Sequence, residues 1–175
     1  MRWMWIDRIV ELVPRQKMVA IKNVSLAEEH LHDHFAAVPA TAGREGRAAI
    51  PVMPASLIIE GMAQTAGILV GHAEGFREKV ILAKVSVAEL DREVFPGQTL
   101  RYTATIRQMD TMGASTEGIV EVIDPASGSP PTKIGRIDLM FSHVDQNMAG
   151  IEFPEHNFVF GESFRTVLRM SGIEV

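Results

Sequence analysis

Cysteine is absent from all 175 residues, which excludes disulfide frameworks, thiolate metal sites and cysteine nucleophiles together. Positive charge is in deficit. Seventeen Lys and Arg stand against 22 Asp and Glu, for a formal net charge of -5 and a pI near 5.7, so the chain lacks the broad basic footprint of a nucleic-acid binder. Long apolar runs are missing too. The uncharged stretch after Glu60 ends before Glu74, short of the roughly 20 apolar residues a membrane span needs. Charges at Arg2, Asp7 and Arg8 break the N-terminus too early for the apolar part of a signal peptide. We therefore expect a soluble, cytoplasmic protein without a nucleic-acid partner or a membrane span. The length suits one well-buried domain, and no internal repeat is present.

Against these absences stands one dense stretch, Pro51 to Leu69. Pro54 fits the first turn of a helix, where its missing N–H would be unpaired in any case. Beyond it Leu57, Ile58, Ile59, Met62, Ala63, Ala66, Ile68 and Leu69 cover nearly the whole helical circumference, which predicts a buried helix. Within it stand one carboxyl group, Glu60, and one amide, Gln64, four residues apart and so on one face. A buried carboxyl that keeps its proton can donate it to a leaving group. A buried acid paired to a basic residue, or one pointing out to solvent, is the alternative reading at this point.

Around this helix the sequence alternates. Ile6–Val13 and Lys17–Val24 are Val/Ile-rich runs divided by Pro14-Arg15-Gln16, which predicts two strands and a turn. Val80–Leu90, Leu100–Met109, Gly118–Ile123 and Lys133–His143 predict four more. Phe95-Pro96-Gly97-Gln98 has the residues of a type II turn, and 124–131 those of a hairpin loop. The pattern implies an α+β architecture in which one antiparallel sheet wraps a long central helix. We read residues 1–146 as that domain, with a structureless loop inserted at about 36–50, and 147–175 as a C-terminal extension. Within the extension, 162–171 is predicted helical and ended by Gly172, with Phe164, Val167 and Leu168 on one face.

Three of the six histidines crowd together as His30, His32 and His34. In an extended chain they would share a face, as the start of a metal site does, but His72, His143 and His156 sit in no recognisable ligand motif. Solvated loop residues are the preferred reading for His30 and His32. His34 differs because Phe35 follows it.

Asp7-Arg8-Ile9-Val10, Val19 to Val24, His34-Phe35, Pro51-Val52-Met53-Pro54 and Leu57 to Gln64 together resemble the 3-hydroxyacyl-(acyl-carrier-protein) dehydratases of fatty acid synthesis, which have the hot-dog fold. The resemblance covers about Ile6 to Met109. It implies a catalytic dyad of His34 and Glu60, and a substrate site with Val52, Ala55 and Gln64. Ala55 would offer the backbone N–H that polarises the thioester carbonyl, and Gln64 would orient the acid. It further implies dehydration to a trans-2-enoyl thioester without a metal or organic cofactor. The acyl carrier protein would be the partner, and a homodimer or an assembly of dimers the active form, its dyad drawn from two chains. Arg44 and Arg47, the only Lys or Arg between Lys22 and Arg77, are expected near the substrate entrance.

Three features depart from the family pattern. Some dozen extra residues separate His-Phe from the helix, Asp33 replaces a glycine before the histidine, and Ala55 replaces the glycine at the helix start. Acyl thioesterase and inactive acyl-binding subunit are the rival readings.

Overall fold

The interruption at Pro14-Arg15-Gln16 makes a tight turn, closed by the Gln16 N–H on the Val13 carbonyl at 3.0 Å. It joins β1 (Arg8–Val13) to β2 (Lys17–Asn23) as an antiparallel pair. Asp7 locks the other end of the pair. Its carboxylate accepts the Asn23 N–H at 2.7 Å and pairs with Lys22 Nζ at 3.3 Å. Buried Lys22 also reaches Glu28 at 2.6 Å, which leads the chain into α1 (Glu29–Asp33). The computed structural model describes residues 3–144 and 159–173, together with Gly150, Pro154 and Asn157.

Residues 35–50 then fold back on themselves. Phe35 with Ile50, Val38 with Arg47 and Thr41 with Arg44 each exchange two backbone hydrogen bonds of 2.6–3.1 Å. The expected structureless loop is thus a narrow hairpin arm. Its pairing left no alternating pattern in the sequence because nearly all of its side chains are exposed, so neither face is constrained to be apolar.

The arm delivers the chain to α2 (Ala55–Ala73), which ends in a left-handed turn at Gly75, φ +61°. From Gly61 to Gly71 every residue except Gly67 is buried. Each fully buried Met62, Ile68, Leu69 or Val70 contributes on the order of 1.5–3 kcal/mol. The burial is not uniform, however. Ala55 and Ser56 are exposed, and Leu57, Ile59 and Glu60 are half-buried, so the acid expected deep in the core lies at its margin.

The remaining strands, β3 (Val80–Leu90), β4 (Thr99–Met109), β5 (Gly113–Ile123) and β6 (Thr132–His143), complete an antiparallel sheet of order β1-β2-β4-β5-β6-β3. In the turn before β4, Gly97 takes the positive φ, +91°, that a type II turn needs at its third residue. β5 starts five residues earlier than its Val/Ile-rich run, since Ala114 and Thr116 continue the inward face with small side chains. Leu100, Tyr102 and Ala104 of β4 and Val120 and Val122 of β5 face the helix. At Gly118 the approach is close: a Cβ there would fall 2.5 Å from Met62 Sδ. Finally α3 (Glu162–Met170) packs Val167 and Leu168 into the same core, and Ser171 Oγ accepts the Ile9 N–H at 3.0 Å. Gly172, φ +75°, ends this helix as its sequence implies. The outer edge of β3 has no strand partner among the described residues and exposes Ile81, Leu82 and Val85.

Candidate active site

His34 leaves the C-terminal end of α1, whose helical turn overrides the alternation seen in the sequence. Residues two apart on a helix point about 200° apart, so His30 and His32 diverge rather than share a face. His30 packs edge-on against Trp5, ring centroids 5.0 Å apart. Burial, aided by Lys22 and opposed by Glu28, holds its imidazole below the ordinary pKa of 6.5.

The arm fixes His34 differently. Because Phe35 pairs with Ile50, Val52 lies opposite His34: the Val52 N–H bonds the His34 carbonyl at 2.8 Å, and His34 Nδ1 lies 2.8 Å from the Val52 carbonyl. A carbonyl can only accept, so Nδ1 carries a proton, and in the neutral ring the lone pair is on Nε2. The ring stacks on Phe35 at 4.4 Å, and the Arg47 guanidinium lies over the Phe35 ring at 5.5 Å. Phe35 is the wall of the His34 cleft that Arg47 covers, and Arg47 itself is not among the residues lining that cleft, while Arg44 belongs to the tip of the arm.

That cleft, about 380 Å³, also takes in Val52, Ala55 and Ile58, with Asp91, Arg92 and Glu93 from the segment after β3. The N–H groups of Ala55 and Ser56 find no partner among the described residues. They lie in the first turn of α2, where the helix dipole favours negative charge. His34, free helix-start N–H groups and an apolar wall therefore meet in one place.

Glu60 faces another way, about 200° around α2 from Ile58. It lines a second cleft of about 270 Å³ with Gln64, Gly67, Leu82, Phe141 and Phe160. Glu60 Oε1 accepts two donors, Gln64 Nε2 at 3.0 Å and the Trp3 indole N–H at 3.2 Å. Gln64 is itself fixed, accepting the Trp5 N–H at 2.8 Å and donating to the Trp3 carbonyl at 3.1 Å. No Lys or Arg pairs with Glu60 among the described residues, so the alternative of a buried ion pair falls away.

The structure thus brings His34 together with Val52 and Ala55, and Glu60 together with Gln64, but places the two pairs in different clefts of one chain. Sequence reasoning missed Trp3, Arg92 and the contribution of Phe160 from the C-terminal segment. Only Trp3 carried a signal, as a large ring beside Trp5 in a short segment leading into β1.

The comparisons bear on both clefts. A family model described as a FabA-like domain matches residues 47–123, which include Ala55, Glu60 and Gln64. A 3-hydroxyacyl-[acyl-carrier-protein] dehydratase FabZ of Acidiphilium cryptum is 41% identical over 99 residues, covering 55% of this chain and 53% of the relative. Its counterpart from Solibacter usitatus is 35% identical over 119 residues, covering 67% and 65%. The chain therefore spans between about half and just under two thirds of these curated relatives. Among solved structures, the dehydratase heterocomplex ApeI:P from Xenorhabdus doucetiae aligns with a TM-score of 0.54 at 15% identity, over 84% of this chain and 90% of that one. An acyl-CoA hydrolase from Staphylococcus aureus gives 0.53 at 14%, over 75% and 67%. At such identities these structures speak for the fold alone.

Proposed function

The chain is a hot-dog protein with a FabA-like domain, related in sequence to the 3-hydroxyacyl-[acyl-carrier-protein] dehydratases, and from that premise we propose that it dehydrates 3-hydroxyacyl thioesters borne on acyl carrier protein to trans-2-enoyl thioesters. His34 is the base. Its Nε2, left with a lone pair by the Val52 contact, takes the α-proton, and the C–H electrons move toward the thioester oxygen. The Ala55 N–H at the start of α2 stabilises the negative charge that gathers there. As the α,β double bond forms, the 3-hydroxyl leaves with a proton from Glu60 and departs as water. Two proton transfers complete the reaction.

The observation that carries this reading is the division of equipment: one cleft holds the base and the helix-start N–H groups, and another holds an oriented carboxyl. A second copy supplies what each cleft lacks. The exposed apolar edge of β3 beside the Glu60 cleft supports such pairing, because a free edge of this kind invites another strand. We therefore assign the active form as a cytoplasmic homodimer, or a higher assembly of dimers, whose sites each combine His34 of one copy with Glu60 of the other.

The test is to incubate the purified protein with 3-hydroxyacyl carrier-protein thioesters of several chain lengths and follow the products by mass. Loss of one water with the thioester intact is expected. Release of free thiol without enoyl product would replace the reading by thioester hydrolysis.

A further inference from the structure

We propose that Trp3 is a positioning residue for Glu60, and that the segment Trp3–Trp5 is a strap that fixes which carboxyl oxygen carries the transferable proton. This rests on the dehydratase reading given above. Gln64 holds the strap by its backbone from both sides, accepting the Trp5 N–H and donating to the Trp3 carbonyl. The Trp3 ring then stands edge-on to the buried Trp5 ring, centroids 5.4 Å apart, which aims its indole N–H at Glu60 Oε1. With Gln64 Nε2 also on Oε1, that oxygen accepts two N–H donors, and whenever Glu60 holds the proton that its role as acid requires, Oε1 is the carbonyl oxygen. A proton on it would compete with both donors for its lone pairs. Oε2 receives no donor from the described residues and is therefore the oxygen on which that proton sits. The strap fixes the carboxyl rotamer, and the amide and indole together choose its proton-bearing end. Trp3 lies outside the residues matched by the FabA-like domain, 47–123.

The proposal is tested by a double-mutant cycle on the full chain with a 3-hydroxyacyl carrier-protein thioester. Trp3→Phe keeps the ring and its edge contact but removes the N–H. Glu60→Met keeps the length of the side chain but removes both oxygens. In the native background Trp3→Phe is expected to lower kcat about three- to tenfold, the worth of one hydrogen bond, and to change KM by less than about twofold. In the Glu60→Met background the same change is expected to cost nothing further, since its target is gone. An equal loss in both backgrounds would make the strap ordinary packing and overturn the proposal. If the unmodified protein forms no enoyl product, the dehydratase reading fails by itself. The cycle is then read from urea midpoints: coupling between the two substitutions upholds the indole–carboxyl contact, and strict additivity overturns it.

Discussion

Replacing Gly61 by alanine should destabilise this protein, while the same change at Gly67, on the same helix, should stabilise it. Each substitution removes a helical glycine, which alone favours the folded state by about 1 kcal/mol. The surroundings decide the sign. A Cβ on Gly61 would lie 2.5 Å from the Tyr102 hydroxyl, 2.6 Å from its ring carbon and 2.8 Å from the Trp5 carbonyl. Tyr102 is fully buried and Trp5 O is backbone, so neither can step aside cheaply. Overpacking of this kind costs roughly 1–3 kcal/mol, which leaves Gly61→Ala destabilised by up to about 2 kcal/mol. A Cβ on Gly67 meets only Phe141 Cε1 at 3.5 Å, an ordinary contact, and keeps its gain. For a chain of this size each kcal/mol moves Tm by about 2–4 °C. Thermal unfolding of the two variants should therefore shift in opposite directions. Gly61→Ala should also lower activity beyond its effect on stability, because it pushes the Trp5 carbonyl, and with it the strap that holds Gln64, away from α2. Parallel shifts of the two midpoints would refute this account of how the N-terminal segment seats on the helix.

Two further outcomes are expected. Changing Arg44 and Arg47 together to alanine should raise KM for a carrier-protein substrate roughly two- to fivefold at low ionic strength and little at high, since the arm's arginines act on an acidic partner through a screened field; a KM indifferent to both salt and substitution would leave the arm without that role. Because burial lowers the His30 pKa, the unfolded chain binds this proton near pH 6.5 and the folded chain only at lower pH, so stability falls as pH drops through about 6.5. His30→Phe should flatten that part of the curve in urea midpoints measured from about pH 7.5 to about pH 5, and an unchanged slope would refute the assignment.

The fold was legible wherever burial imposes a period. The helix from Pro54 onward, all six strands and the Pro96-Gly97 turn lie where the apolar pattern and turn residues put them; most have one face or their whole surface in the core, whereas β3 buries only Val80 and was legible from its Val, Ile and Leu content alone. β5 was read short, since its first inward residues, Ala114 and Thr116, are too small and polar to register as an apolar alternation. The arm was unreadable for the opposite reason: Val38 with Arg47 and Thr41 with Arg44 pair through backbone alone, and backbone pairing writes nothing into side chains. At the candidate site, the pairing of Glu60 with Gln64 followed from helical spacing. The hold of Val52 on His34 did not, because it depends on the register between the two legs of the arm. The Trp3 contact crosses 57 positions of sequence, and no local pattern encodes a meeting of that range.

The most direct measurement of the central claim mixes two inactive proteins. His34→Ala and Glu60→Gln homodimers should each lose at least about 10²-fold in dehydration rate, since each lacks one half of the acid–base pair. When the two are combined under conditions that exchange subunits, about half of the dimers are mixed, and each mixed dimer has one site with both residues intact. Roughly a quarter of wild-type activity should then return, given independent sites and equal pairing. Activity that stays at background, with mixed dimers confirmed by native mass spectrometry, would contradict a site built from His34 of one chain and Glu60 of the other.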